Sequence, residues 1–346
     1  MGEVVEFNEQ KEVKELLDVK SNTLNSLLEK AYDIKDLSCD YMVVKANTEN
    51  VRFNDMSGLT FIPYDSSVQE YPMSRYSLSQ LGTKIGVPSR YLIKCVNSGR
   101  IDLAQDNVNS WLEDYGKDLF IRVYDGRIRG ILSNKYSVCD SDEILEVVDD
   151  VVNLDNYTVK GSYINEERLH VRLVSKEMLP IDGEDLFAGL FIDSSDVGRS
   201  ILTVKFGIYK QVCTNGLVIS RAGGTLFEQK HIGISAEEFH EGLAKSLMSV
   251  DILTENAVEL IKVAKKTKNR YDINSLTEEE FNEFADYIKA KTDISTENSS
   301  KVISLMQTKY DNSKWGLING ITEVAQDFTL EKRLELEKVA GDILVS

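Results

Sequence analysis

The sequence predicts an α+β fold: antiparallel sheets built on β-hairpins, packed with helices, with a helical C-terminal region. Three observations carry this. Residues 118–140 contain a strong hairpin signature, a short helical pattern and then further strand runs follow it, and from Ser235 onward apolar residues recur at helical spacing. Hairpin, helix and more antiparallel strands is not the alternation of a parallel α/β sheet. At 346 residues the chain is long enough for two or three domains, and the changes of pattern divide it at 1–116, 117–234 and 235–346.

In chain order, Val13, Leu16 and Leu17, then Leu24, Leu27, Leu28 and Ala31, predict a leading helix and a short second one capped near Ser21 or Asn22. The runs YMVVKA, VRFN and LTFIPY predict a small antiparallel sheet, with Asn54 to Gly58 turning between the last two. A helix over Leu78 to Ile85 should stop at Gly86, with Pro88 opening the next. That pair has helix-turn-helix spacing and would present Ser89, Arg90 and Lys94 outward, although ordinary helical hairpins share the spacing. Leu103, Val108, Trp111 and Leu112 mark the buried side of a helix over 102–115.

The hairpin itself alternates Phe120, Arg122 and Tyr124 with Leu119, Ile121 and Val123, and returns through Arg127, Ile128, Arg129, Gly130, Ile131 and Leu132. Asp125-Gly126 suits a type I′ turn, which needs positive φ at both central residues. One face is apolar and one carries arginines, so an anion or solvent should lie on the arginine side. Ser141–Val152 reads as a helix; 158–164 and 168–175 read as strands about a turn at Asn165–Glu167, and AGLFIDSS and ILTVKFGIYKQVCTNGLVIS as more strands closing at Gly223-Gly224. Ser235 with Glu238, and Thr277 with Glu280, are capping boxes at helix starts. Another helix runs from about Ser249 to Lys268, and the last helices lie near 299–311 and 319–342.

Composition narrows the function. No apolar run reaches the roughly 18 residues that span a membrane, and the acidic amino terminus has no signal-peptide pattern. Cys39, Cys95, Cys139 and Cys213 are scattered without a CxxC pair, as expected of reduced, buried thiols in a cytoplasmic protein. The net charge of −17 disfavours a polyanion taken whole, yet no acid lies between Glu70 and Asp102 or between Asp196 and Glu228. No P-loop, dinucleotide fingerprint or nucleophile elbow is present. Of the three histidines, His231 and His240 have no cysteine or acid at metal-ligand spacing and His170 alternates within a strand, so no metal, cofactor or catalytic residue is expected.

Two clusters remain. Arg122, Arg127, Arg129, Lys135 and Tyr136 belong to the hairpin and its exit, and Lys205, Tyr209 and Lys210 run along a later strand into Asn215-Gly216, a turn signal. Arginine and lysine beside tyrosine suit a phosphate backbone and a stacked base. At these residues the chain resembles the phage/plasmid-like proteins of domain-of-unknown-function family 932. The likeness rests on RIRGILSNKYSVCDSDEIL with its Leu132-Ser133…Tyr136 ending, SSDVGRS, VCTNGLVIS from Cys213 through Asn215-Gly216, KHIG, the closing NGITEVAQDFTLEKRLELEKVAG, and upstream LGTKIGVPSRYL. It spans roughly residues 75 to 345 and implies a mobile-element origin, hence host cytoplasm, without supplying catalytic residues.

The function expected is therefore a phage-encoded, non-catalytic nucleic-acid-binding protein that holds or anneals single-stranded DNA in recombination or replication. Single-strand annealing proteins often work as rings or filaments, so a homo-oligomer is compatible with this reading. The alternative is a host-takeover or anti-defence protein that binds a host protein through its acidic surface. A hydrolase or nuclease is the least supported reading, since the carboxylates form no spaced set.

Overall fold

The computed structural model describes residues 23–152, 156–210, 215–218 and 225–346. The expected helix ahead of Ser21 and the Gly223-Gly224 closure lie outside these residues. Two hydrophobic cores organise the rest, and the fold is α+β with antiparallel sheets and a helical C-terminal region.

The first core lies between helices and two three-stranded sheets. Strands β1 (Ser38–Val43), β5 (Leu119–Tyr124) and β6 (Arg127–Leu132) form one sheet in the order β1-β5-β6, and β2 (Val51–Phe53), β3 (Gly58–Phe61) and β4 (Gln69–Pro72) form the other. YMVVKA thus pairs with the hairpin and not with VRFN: Tyr41 stands opposite Ile121 and Val43 opposite Leu119. The pairing crosses the 116/117 boundary read from the sequence. Helices α2 (Arg75–Ile85), α3 (Ser89–Asn97) and α4 (Ile101–Leu112) cover the sheets, burying Leu81, Leu92, Val108 and Leu112 against Phe53, Phe61, Ile121 and Ile128. Helix α2 ends at Gly86 with φ 79°, a left-handed cap that glycine adopts without Cβ strain.

The Asp125-Gly126 turn forms as expected, with φ of 44° and 70°. A bulge follows it. Arg122 pairs with Gly130 and Val123 with Ile128, leaving Arg129 as the extra residue.

The second core is built on a six-stranded antiparallel sheet: β7 (Tyr157–Ile164), β8 (Leu169–Met178), β9 (Leu186–Ser194), β10 (Leu202–Lys210) and β11 (Asn215–Val218) in the order β11-β10-β9-β8-β7, with β12 (Thr225–Gln229) also on β10. Asn215-Gly216 therefore opens a strand, opposite Lys210 and Tyr209, and is not a turn. Period-2 alternation turns Val171, Leu190, Ile192, Val204, Phe206 and Ile208 into this core.

Helix α1 (Leu24–Asp36), capped by Thr23 and not by Ser21 or Asn22, packs here with α5 (Ser141–Val152). The C-terminal helices are α6 (Ala236–Leu247), α7 (Val250–Lys266), α8 (Glu278–Thr292), α9 (Thr296–Thr308), α10 (Lys314–Val324) and α11 (Leu330–Val345). Both capping boxes form, at Ser235/Glu238 and Thr277/Glu280. The single helix expected over 319–342 is two, because a 3-10 turn at Ala325–Asp327 runs into extended backbone at Phe328 and Thr329. Among the described residues no helix is long and apolar enough to cross a membrane.

Candidate functional site: a buried ion cluster and an exposed basic face

The arginine side of the hairpin does face anions, and they are the protein's own carboxylates. Arg122 is 1% exposed. Its Nε and Nη2 donate to Asp40 (2.9 and 3.0 Å), its Nη1 and Nη2 to Asp140 (2.6 and 2.7 Å), and Nη1 also to the Asp196 carbonyl (2.6 Å). Such paired charge-assisted bonds use the planar guanidinium fork in full. Arg129, also buried, donates from Nη1 to the Glu166 carbonyl at 2.7 Å and lies 3.6 Å from the Asp196 carboxylate. Sequence alternation put arginines on a strand face that an anion or solvent should meet. The β7–β8 turn and the β9–β10 loop of the six-stranded sheet, with Asp140 ahead of α5, cover that face.

The cluster seams the two cores together. Asp196 sits in the β9–β10 loop, where Val197 packs on Gly130: a Cβ there would lie 3.0 Å from the Val197 side chain. Gln80 of α2 clamps the same contact, donating to the Val197 carbonyl (2.9 Å) and accepting from the Ile131 amide (2.8 Å). Ser141 donates to Asp196 at 2.9 Å. Tyr136 donates to the Ser195 and Asp196 carbonyls, with its ring stacked on His231 (5.4 Å between centroids) and near Phe120 (6.3 Å). Lys35 of α1 closes the rim at 3.2 Å from Asp140.

Electrostatics follow from burial. Burial alone would raise Asp140, but Arg122, with help from Arg129 and Lys35, holds it at about 2. Burial would lower Arg122, and Asp140 and Asp40 instead hold it above its usual value. Asp196, with no bond from a guanidinium to its carboxylate, goes the other way: burial first, then repulsion from Asp140, push it up to about 7. Burial also raises the Tyr136 phenol and lowers the His231 imidazole.

The eight residues named from sequence do not gather on one surface. Arg122, Arg129 and Tyr136 belong to the buried seam. Arg127 is exposed but donates to the Met73 carbonyl at 3.3 and 3.2 Å, and Lys135 is exposed in the loop after β6. Lys205 and Tyr209 lie half-buried on the β10 face opposite Val204 and Ile208, and Lys210 is tied to Glu184 (2.8 Å) and Asn319 (3.0 Å). Sequence reasoning did not pick out Asp40, Asp140, Asp196 or Ser141. The acids of CDSDEIL and SSDVG stood in the sequence, but nothing there brings residues 40, 140 and 196 together.

The outward cations lie elsewhere. Along α2, α3 and their flanks Arg75, Arg90, Lys94, Arg100 and Lys117 are exposed, and no acid falls between Glu70 and Asp102. Lys84 is half-buried and held below its usual value, first by burial and then by Lys117 beside it. Arg90 and Lys94 are one helical turn apart on α3, as expected, whereas Ser89 turns inward to donate to the Ser79 carbonyl (2.8 Å). Tyr91, 39% exposed, neighbours Asn107 of α4 (3.4 Å), one turn from Trp111, which is 58% exposed.

Fold and seam together define an α+β protein in which an antiparallel hairpin unit is locked by buried ion pairs to a larger sheet backed by helices. The chain belongs to the family described as Domain of unknown function (DUF932), which it matches over residues 129–338. The match starts within β6, so the α2–α3 segment stands outside it. Searches of curated proteins and of solved structures find no match.

Proposed function

We propose that this protein binds nucleic acid, preferring single strands, through the α2–α3 face rather than through the hairpin, in the recombination or replication of a mobile element. The observation that carries this is the acid-free run from Tyr71 to Ile101, which exposes Arg75, Arg90, Lys94 and Arg100 on a chain whose net charge is −17. A local positive face on an acidic body orients a polyanion toward one surface. Tyr91 and Trp111 beside it offer aromatic faces, and base stacking on such rings is worth about 1–3 kcal/mol per base. Arg122 and Arg129, buried against carboxylates and a carbonyl, support the fold beneath this face.

The test is fluorescence anisotropy of labelled single-stranded and duplex DNA across a salt series. Salt-sensitive binding that prefers single strands is expected. The double change Arg90→Ala and Lys94→Ala should weaken it and flatten the log–log salt slope by about one unit for each phosphate no longer neutralised. Binding indifferent to both changes, or none at low salt, overturns the assignment.

A second reading has its own observation. Glu278, Glu279, Glu283 and Asp286 are exposed along α8, an acidic helix face that suits a basic protein partner. If no nucleic acid binds, capture of a single stoichiometric basic protein, abolished when Glu279 and Glu283 become Gln, supports that reading.

A further inference from the structure

We infer that Cys139, Glu143 and His240 form a binding site for a divalent transition-metal ion of the zinc class. Cys139 lies two residues ahead of α5, Glu143 in its first turn, and His240 on α6, which packs against α5. One ligand atom from each comes within 4.8 Å of the others. Zinc bonds of about 2.0–2.3 Å in a tetrahedron set ligand–ligand edges of about 3.3–3.8 Å. The His240 Nε2 to Glu143 Oε2 separation is 3.3 Å, already such an edge. The thiol needs a shift on the order of 1 Å to complete the triangle.

An independent observation concerns the thiol. Cys139 is 1% exposed, and among the described residues its sulfur has no hydrogen bond. When a dication binds, the thiol releases its proton to solvent and the sulfur becomes a ligand.

The surroundings are arranged to match. Lys35 lies 3.8 Å from Glu143 Oε1, holding the carboxylate by one oxygen while Oε2 faces His240. Glu143 and His240 are half-exposed, so the ion has a path in and water can take the fourth position. Thiolate, imidazole and one carboxylate select zinc, cobalt or their neighbours over calcium or magnesium, which prefer oxygen throughout. Bound metal would pin α5 to α6, joining the helix that follows the ion seam to the C-terminal bundle.

The experiment titrates cobalt(II) into the full chain after treatment with chelator, followed by optical absorption. One equivalent should bind, with a thiolate-to-cobalt charge-transfer band that zinc abolishes by displacement. Cys139→Ser should lose the band, while Cys39→Ser keeps it. His240→Gln, at a half-exposed position, should leave thermal unfolding of the metal-free protein close to wild type and weaken zinc binding by at least about tenfold. No cobalt spectrum, a charge-transfer band that survives Cys139→Ser, or unchanged zinc affinity in His240→Gln each overturns the site and leaves Glu143–His240 as an ordinary polar contact between two helices.

Discussion

Arg122 shows how far a side chain's role depends on what covers it. Its position on the strand was legible; whether an anion or solvent would lie opposite it, and which anion, was not. Arg122→Ala should destabilise the fold by about 3–5 kcal/mol, because Asp40 and Asp140 lose their counter-charge, one of them while buried. Urea denaturation measures this, and a loss below about 1 kcal/mol would mean the cluster is solvated in solution. Asp196 adds a pH dependence. Its folded pKa of about 7 exceeds the ordinary 3.8, so its contribution is fully present below pH 3.8 and is lost as pH rises through about 7. His231, lowered by burial, works in the opposite sense over part of that window. The difference between wild type and Asp196→Asn isolates the carboxyl: stability of the wild type relative to the variant should fall from about pH 4 to about pH 7.5. A constant difference would refute the raised pKa.

At the scale of elements, local chemistry was a good guide. The Asp-Gly turn, the stop at Gly86 and both capping boxes lie where residue type alone put them, because each is decided within about four residues. Thr277→Ala should accordingly cost about 1 kcal/mol, read as a lowered midpoint in thermal or urea unfolding. Sequence and structure part where the pairing and packing of whole elements decide. Asn215-Gly216 is drawn into a strand by β10, and the break at Phe328 lets α11 leave the line of α10. Gly130 belongs to this class too. Gly130→Ala pushes a methyl against Val197 and should loosen the loop that holds Asp196, so the variant should lose both stability and part of the Asp196-linked pH dependence.

For the whole molecule the decisive pairing is β1 on β5, which ties residues 38–43 to the hairpin and supplies Asp40 to the seam. A chain beginning at residue 117 leaves the β5 edge unpaired and Arg122 short of a carboxylate. It should not unfold cooperatively, and a sharp two-state transition in calorimetry would contradict the two-core description. The sequence by itself determined the α+β class, the hairpin, the helix stop at Gly86, the starts at the two capping boxes, and the run of residues without acids. These depend on period, turn chemistry and composition, all local properties of the chain. Only the tertiary structure decided that Arg122 and Arg129 are buried against Asp40, Asp140 and Asp196, that the outward cations are those of α2 and α3, and that His240 meets Cys139 and Glu143. Those outcomes join residues far apart along the chain, and a strand's alternation specifies which side a residue takes without specifying what comes to lie on that side.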